Sequence, residues 1–318
     1  MAETTAPFAS AAPVPAAESR FERQIWWFPR ILLIPTIVYL FVMTVFPLLY
    51  SLFISLFRTE TGRPPVWIGL ENYGKVLSGG EFWYAIGITL VLTVVAVTLE
   101  VLFGVGIALL LNQRLRGMGL FRLLVYLPMM VSPLVIGYFW RYMFDGTFGI
   151  INWVINSTIG GLLQLDPPQW LIDPVLAAIA IIVVDVWQWT PFVALLAAAG
   201  LNTIPPALYE AATLDRASRW MQFRRITLPF LVTPLLVAIL FRSIDTIKIF
   251  DSVYILTGGG PGDYTATLSV LDYKVGFTYF RVGEAAAFSW LIVILINIVT
   301  TVILRLITRS RRARLYTA

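Results

Sequence analysis

The hydrophobic pattern of the chain consists of six long apolar stretches separated by shorter polar segments. A helix needs about 20 consecutive apolar residues to cross the hydrocarbon core of a bilayer, and each of these stretches meets that length. The pattern therefore predicts six transmembrane helices, at roughly 30–57, 82–111, 122–144, 174–200, 229–250 and 284–308.

A seventh apolar stretch, near 148–165, is interrupted by Asn152, Asn156, Ser157 and Thr158. Polar side chains at that density are costly in a helix that is surrounded by hydrocarbon. We therefore predict an interfacial or loop helix in this stretch, and not a further span.

The composition agrees with a membrane protein. Hydrophobic residues make up 58% of the chain and charged residues 13%, whereas a soluble domain averages about 45–50% and about 25%. The surplus apolar surface must face lipid, so the predicted fold class is all-α, a polytopic membrane protein. Neither Cys nor His occurs, which excludes disulfides, imidazole catalysis and the usual zinc ligands. We predict no metal site and no catalytic residue.

The Lys and Arg residues predict the orientation of the spans, because cytoplasmic loops carry an excess of positive charge. With the amino terminus in the cytoplasm, 15 of the 23 basic residues lie on the inner side and six on the outer side. Arg242 and Lys248 fall within the fifth span. Both termini are therefore predicted to be cytoplasmic, and the net charge of +5 belongs to the inner membrane face and not to a nucleic-acid site.

The two ends of the chain are predicted to lie outside the transmembrane domain. Residues 1–24 are rich in Ala, Pro, Ser and Thr and contain no apolar run, which is typical of a disordered cytoplasmic tail rather than of a signal peptide. The transmembrane domain is expected over 25–308, and a basic cytoplasmic tail over 309–318.

The longest internal cytoplasmic segment, at about 201–228, is predicted to form two short helices. Asn202 or Thr203 can cap the first helix, with Pro205 and Pro206 in its first turn. A helix pair at the inner surface is suited to docking a soluble partner. The alternative is an amphipathic hairpin that rests on lipid headgroups.

This segment resembles the coupling-loop signature of binding-protein-dependent ABC importer permeases. The resemblance rests on Glu210-Ala211-Ala212, on the position of residue 216, and on Ile226 with Leu228-Pro229. Further matches to the carbohydrate importers occur at residues 67–73, 189–192, 250–251 and 257–261. The resemblance covers roughly residues 28–308 and is strongest to the larger maltose-type permease.

Position 216 departs from the pattern of that family, which usually has glycine there. Glycine would permit a left-handed turn between the two short helices, whereas an arginine in that conformation costs roughly 1 kcal/mol or more. Either the turn is right-handed in this chain, or Arg216 gains a compensating contact.

The resemblance implies a type I ABC importer fold in a bacterial inner membrane and a division of labour between subunits. The chain would form half of the pathway for a sugar, oligosaccharide or polyol, in a heterodimer with a second permease. Two ATPase subunits would dock at the cytoplasmic loop and bind ATP and Mg, and an extracytoplasmic solute-binding protein would deliver the substrate. The residues implied to form the ATPase-coupling loop are Glu210, Ala211, Ala212, Asp215, Arg216 and Ala217.

No cofactor is expected in this chain itself, because it contains no Gly-x-x-x-x-Gly-Lys-Ser/Thr phosphate loop. The glycine-rich segment 258–262 lacks the lysine and falls on the outer face. We predict a flexible outer loop at this segment, and a contact for the external binding protein is the alternative.

Asp185 is an ionisable residue deep in the fourth span, where such groups usually face a cavity or a partner. It lies about 17 Å into the helix at ~1.5 Å per residue, and Gln188 and Trp189 share its helix face. An acceptor beside an indole suits a sugar, whose hydroxyls need hydrogen bonds and whose C–H face packs on aromatic rings. Alternatively, Asp185 pairs with a neighbouring helix and Trp189 only packs.

The fifth span ends with Arg242, Asp245, Lys248 and Asp251, which alternate in charge every three residues. Opposite charges at this spacing can neutralise one another, which predicts a structural network along the outer half of the pathway. Direct contact of Arg242 and Asp245 with substrate is the alternative. Glu100 in the second span is expected to be an interhelical partner.

Two other classes of protein are compatible with six spans alone. An ion- or proton-coupled secondary transporter would use Asp185 or Glu100 to carry the coupling ion. A membrane enzyme would need an aspartate pair, but the carboxylates of this sequence are spread over different depths and faces. We therefore expect a transporter subunit and not an enzyme.

Overall fold

The computed structural model describes residues 28–59, 62–113, 116–160 and 166–315, with the backbone alone described for 28–30, 159–160 and 306–315. The predicted disordered tail at 1–24 lies outside the described residues, as do the last three residues of the predicted basic tail.

Helices account for nearly all of the regular structure in the described residues. The α-helices are, in chain order, α1 (Phe28–Leu40), α2 (Phe46–Ile54), α3 (Glu71–Ser78), α4 (Gly80–Leu111), α5 (Met118–Met130), α6 (Pro133–Met143), α7 (Ile150–Ile155), α8 (Pro174–Leu201), α9 (Pro206–Leu214), α10 (Arg219–Gln222), α11 (Leu228–Ile247), α12 (Asp251–Leu256), α13 (Leu268–Tyr273) and α14 (Val282–Leu315). Single π-helical turns lie at Phe41–Val45, Phe223–Thr227 and Lys274–Thr278, whereas the segment Asn156–Gly160 is kinked at Thr158, whose φ of −118° and ψ of −108° are not helical. Two short strands, β1 (Phe57–Arg58) and β2 (Val66–Trp67), pair antiparallel.

Within the described residues, five helical segments are long and apolar enough to cross a membrane unbroken. They are Ile31–Ile54, Gly80–Leu111, Pro174–Leu201, Arg219–Ile247 and Val282–Arg305. A sixth span is formed by α5 and α6 together, although these two helices are bent by 98° at a short break. The prediction of six spans is confirmed with this pair counted as one, but the expectation of one continuous helix over 122–144 is wrong.

The break in the third span follows from Pro133. Proline disfavours the helical conformation in the residue before it, and Ser132 accordingly has an extended backbone with φ −58° and ψ 135°. Val131 is extended as well, with φ −90° and ψ 141°. Pro133 then occupies the first turn of α6, where its missing N–H is no loss.

The stretch predicted to be an interfacial or loop helix contains α7, which has only six residues. At ~1.5 Å per residue it extends about 9 Å, far less than the ~30 Å hydrocarbon core. Its buried Asn152 accepts a hydrogen bond from Nε1 of Trp170 at 2.9 Å and donates one to the carbonyl oxygen of Pro168 at 3.1 Å. The polar residue that interrupts the apolar stretch therefore fastens a connecting segment.

The chain divides into two compact units, residues 1–53 and residues 54–318. In the described part of the first unit, the apolar window of the span that begins at Ile31 contains no buried residue. The second unit contains the other spans and the hydrophobic core.

The core of the second unit is built where α4, α8 and α11 cross at small residues. A Cβ on Gly104 of α4 would lie 2.8 Å from Cβ of Val193 in α8, and one on Gly200 would lie 2.6 Å from Cγ of Pro234 in α11. Small residues at membrane helix interfaces allow the backbones to approach this closely. The polar side chains of the three helices consequently come within hydrogen-bonding distance.

The outer connection between β1 and α3 is fixed by Asn72, which is buried at the start of α3. Its Nδ2 donates to the carbonyl oxygens of Ser55 at 2.7 Å and Phe57 at 2.9 Å. Beside it, hydrogen bonds from Lys75 and Arg58 hold the pKa of the Glu71 carboxyl below its usual range. Asn72, in the segment 67–73, thus fastens the start of α3 to the backbone at β1.

At the other end of the chain, α14 runs to Leu315 without interruption. The predicted basic tail at 309–318 therefore begins as a continuation of the last helix.

Candidate functional site

The cytoplasmic loop joins α8 to α11 through the short helices α9 and α10. Asn202 is the residue that ends α8, and the Thr203 hydroxyl donates to the carbonyl oxygen of Gly200 at 2.8 Å. The helix α9 begins after Pro205, with Pro206 in its first turn and no side-chain cap. The predicted prolines are in place, but the prediction that Asn202 or Thr203 caps α9 is wrong, because the preceding helix uses both residues.

Helix α9 is fixed at one side and exposed at the other. Tyr209 packs against the core, and its hydroxyl lies 2.8 Å from the hydroxyl of Thr227. Glu210 and Ala211 are exposed, as are Asp215 and Arg216 at the end of the helix. In the part of the chain that the structure describes, Glu210 forms no ion pair.

The remaining predicted residues of the loop, Ala212 and Ala217, are half-buried and form the turn after α9. The N–H of Ala217 donates to the carbonyl oxygen of Ala212 at 2.9 Å, and the N–H of Arg216 donates to that of Thr213 at 3.0 Å. This pair of hydrogen bonds is the Schellman motif, which needs a left-handed residue after the helix.

Arg216 is that left-handed residue, with φ 55°. Of the two alternatives considered from the sequence, the right-handed turn is therefore excluded. A compensating contact is not found either: among the described residues, the Arg216 side chain has no hydrogen bond or ion pair. The turn geometry that glycine would supply is retained with an arginine in its place.

A buried charge cluster lies between α4, α8 and α11, with Arg242 at its centre. The Arg242 guanidinium donates to Glu100 through Nε and Nη2 at 2.8 Å each, to Asp185 through Nη2 at 2.8 Å, and to Asp245 through Nη1 at 2.7 Å. The side chains of Arg242, Glu100 and Asp185 are almost fully buried. The Asp245 side chain, in contrast, is 51% exposed. One guanidinium thus holds carboxylates from three spans.

The pairing of Asp185 with Arg242 confirms that Asp185 contacts a neighbouring helix, which was one of the two alternatives for it. Glu100 is confirmed as an interhelical partner, and the predicted pairing of Arg242 with Asp245 at i+3 is present. The ring of Trp189 is half-buried, with the Arg242 guanidinium carbon 4.8 Å from its centroid. Cation–π contact of this kind adds an attraction of about 0.5–2 kcal/mol.

Gln188 has a different role from Trp189, although the two are adjacent in α8. Its side chain is 2% exposed, and its Nε2 donates to the carbonyl oxygen of Val131 at 3.3 Å. Val131 lies at the break of the third span, where helical hydrogen bonding stops. Gln188 therefore satisfies a backbone group at that break.

The predicted alternation of charges beyond Asp245 does not form a continuous network. Helix α11 ends at Ile247, and Lys248 and Asp251 form no ion pair within the described ranges. The i+3 spacing brings side chains together only while the helix continues, so the network is limited to its first pair and is completed by other spans.

The glycine-rich segment 258–262 on the outer face is held in place by hydrogen bonds from threonine side chains. The hydroxyls of Thr257 and Thr265 lie 2.7 Å apart, and Thr265 donates to the carbonyl oxygen of Gly260 at 2.7 Å. Gly258 and Gly259 have φ of 62° and 90°, a region that side chains other than glycine rarely adopt. The glycines serve the backbone path of this outer turn.

Residues 100–313 match the family described as the inner membrane component of binding-protein-dependent transport systems. The chain is 38% identical over 286 residues to the trehalose/maltose transport permease MalF of Thermococcus litoralis, covering 89% of this chain and 94% of the relative. It is 32% identical to the trehalose transport permease SugA of Mycobacterium tuberculosis, covering 86% and 87%. It is 34% identical to the sulfoquinovosyl glycerol transport permease SmoG of Agrobacterium fabrum, covering 87% and 89%.

The fold resembles that of a chain in the crystal structure of a bacterial ABC transporter involved in the import of alginate. The TM-score is 0.78 at 23% identity, and the match covers 92% of this chain and 99% of the other. The apolar spans, the cytoplasmic loop and these matches together define a multi-pass permease subunit of an ABC importer. The chain belongs to the family of inner membrane components of binding-protein-dependent transport systems, and it is a transporter subunit rather than an enzyme or a secondary transporter.

Proposed function

We propose that this chain forms one half of a pathway that imports a sugar, an oligosaccharide or a polyol by alternating access. The observation that carries the proposal is that one guanidinium, that of Arg242, contacts both the half-exposed Asp245 carboxylate and the half-buried ring of Trp189, within the membrane-spanning part of the chain. Three relatives are named as transport permeases for trehalose and maltose, for trehalose, and for sulfoquinovosyl glycerol, and these names support a sugar or a sugar derivative as the substrate.

The exposed side of Asp245 faces a polar space in the assembled importer. A carboxylate in contact with lipid is costly, and ionisable groups within spans therefore face a cavity or another protein surface. A carboxylate accepts hydrogen bonds from sugar hydroxyls, while the indole of Trp189 offers a flat surface to the C–H face of the ring. We assign these two side chains to direct substrate contact.

The other candidate residues of the pathway support these two. Arg242 orients Asp245 by direct hydrogen bonding, and Asp185 and Glu100 hold Arg242 in place. Gln188 fixes the break of the third span through Val131. A polar group whose position is fixed before binding loses less entropy when the substrate arrives.

The energy for transport comes from separate ATPase subunits that hold ATP and Mg. One of two ATPase subunits docks at α9 and at the turn containing Arg216, and the other docks beneath a second permease that completes the pathway. An extracytoplasmic solute-binding protein delivers the substrate to the outer face. The exposed Glu210, which has no ion-pair partner within the described part of this chain, supports docking at α9.

The test is uptake of radiolabelled trehalose or maltose by sealed vesicles that contain the complete importer, with the binding protein outside. We expect uptake to require ATP and Mg on the side of α9 and to continue when ion gradients are dissipated by ionophores. Uptake that persists without ATP and stops with the ionophores would instead indicate ion-coupled transport.

A further inference from the structure

Three exposed arginines lie at the cytoplasmic start of the span Arg219–Ile247: Arg219, Arg224 and Arg225. The sequence has no Asp or Glu between Arg216 and Arg242. Within the described ranges, none of the three arginines forms an ion pair. The nearest carboxylate along the chain, Asp215, lies four residues before Arg219 and forms no ion pair among the described residues, so the positive charge of this surface is not neutralised there.

A cavity of about 390 Å³ lies among these residues, lined by Ser218, Trp220, Met221, Arg224 and Arg225. The Trp220 side chain is 69% exposed and stacks on Phe223, with ring centroids 5.6 Å apart and planes inclined by 25°. The cavity thus combines two guanidinium groups with an exposed indole.

Two exposed apolar residues follow the cavity along the chain. Leu228 and Phe230 are each 38% exposed, and both lie in the first turn of α11. Tryptophan is enriched at the boundary between headgroups and hydrocarbon, where its ring is partly wet and partly apolar. An occupant that matches this order of surfaces has an anionic head and an apolar tail.

We propose that this pocket binds the phosphate of an anionic phospholipid of the inner leaflet. Arginine binds phosphate oxygens through paired N–H donors, and basic pockets on the cytoplasmic side of membrane helices are suited to anionic headgroups. A free phosphate ion would leave the surface at Leu228 and Phe230 without a role. The exposed Glu210 and Ala211, which belong to the proposed ATPase-docking surface, lie on α9 and do not line this cavity.

The experiment titrates phosphatidylglycerol onto the purified, complete importer and counts bound lipid by native mass spectrometry. We expect the affinity to fall about 5-fold in Arg224→Gln and about 25-fold in Arg224→Gln/Arg225→Gln, because each basic residue near an anionic surface contributes ~5-fold to binding. Arg224→Lys retains the charge and should keep most of the affinity.

The matched control is Arg116→Gln, which removes one exposed arginine from the same side of the membrane and should leave the affinity for phosphatidylglycerol unchanged. Glycerol 1-phosphate, which has the head without the tail, should not displace the lipid at equal concentration. Displacement would show that the pocket binds a phosphate alone and would overturn the proposal. Unchanged lipid binding in the double variant would overturn it as well, and loss of the ATPase in that variant would then identify the arginines as a protein contact.

Discussion

The cytoplasmic loop and the buried charge cluster are the two polar regions on which the proposed function depends, and they are built in opposite ways. The loop residues from Glu210 to Ala217 are contiguous in sequence, mostly exposed, and anchored by few contacts. The cluster joins Arg242 to Glu100 and Asp185, which are 142 and 57 positions away, and almost completely buries all three. A surface that docks a partner is local, whereas a buried polar cluster requires the packing of several spans.

The energetics of the two regions differ for the same reason. An exposed charge such as Glu210 interacts with water in the isolated chain, so its contribution appears when the partner binds. A buried ion pair contributes to the fold itself, and removal of one member leaves an unpaired charge in a medium of low dielectric constant. Substitutions in the cluster should therefore affect folding, and substitutions in the loop should affect assembly.

The largest expected effect is that of Arg242→Met, which leaves Glu100 and Asp185 buried without a cation. Loss of one member of a buried ion pair costs about 3–5 kcal/mol, so we expect little folded protein. The measurement is the yield of monodisperse protein and its thermal unfolding in detergent. The triple variant Arg242→Met/Glu100→Gln/Asp185→Asn, in which no buried charge is left unpaired and only the half-exposed Asp245 loses its partner, should be more stable than the single variant. If the single and the triple variant were equally unstable, the loss of ion pairing would not be the cause of the instability.

Glu210→Lys should have the next largest effect, and on assembly rather than on folding. The variant should insert into the membrane, and its thermal unfolding should be unchanged. Co-purification of the ATPase should fall by about tenfold or more, because reversal of a charge across an interface costs upward of ~1.4 kcal/mol. The control is Glu81→Lys, which makes the same charge change at an exposed residue on the outer face. Normal ATPase association in Glu210→Lys would contradict the docking assignment.

Trp189→Ala tests whether the edge of the charge cluster serves transport rather than folding or assembly. Trp189 contacts Arg242 of the cluster and is proposed to contact the substrate. We expect transport to fall by about tenfold, as loss of an aromatic contact of ~1–1.5 kcal/mol predicts, while assembly with the ATPase is retained. Uptake of labelled sugar measures the first and co-purification the second. Trp187→Ala, which removes an indole that is 40% exposed two residues earlier in α8, should leave transport nearly unchanged. An unchanged rate in Trp189→Ala would remove this residue from the pathway.

The smallest expected effect is a gain in stability from Arg216→Gly. Glycine adopts φ 55° without strain, but it also increases the conformational entropy of the unfolded chain, so the net gain should be at most ~1 kcal/mol. Thermal unfolding measures it. Ala217→Gly, at a position where φ is not positive, should give no gain. A loss of stability in Arg216→Gly would indicate that the arginine side chain has a stabilising contact.

The number of spans and the two short helices of the cytoplasmic loop were predictable because each depends on a continuous stretch of sequence. Hydropathy identified the spans, and the segment from Glu210 to Pro229 identified the loop. The 98° bend of the third span was within reach as well, since Ser132-Pro133 carries the backbone restriction that causes it. The cap of α9 was predicted wrongly because Asn202 and Thr203 serve the end of α8, and a local pattern does not show which of two adjacent helices claims a polar residue.

The partners of Arg242 were harder to predict. Its spacing to Asp245 indicated one ion pair correctly, because neighbours at i+3 meet within a single helix. Neither this spacing nor hydropathy indicates that Glu100 and Asp185 reach the same guanidinium. Gln188 is a similar case, because its partner at Val131 exists only through the break of another span.

The sequence by itself determined the six apolar segments, their orientation through the distribution of arginine, and the cytoplasmic loop of an ABC importer permease. These features depend on the free energy of transfer of each segment between water and lipid, or on neighbouring residues of a single helix. Only the tertiary structure decided which charges are neutralised inside the membrane and that Arg216 is left-handed. Such pairings depend on the distances between helices, which are set by the packing of small residues such as Gly104 against Val193 and by no single segment of the chain.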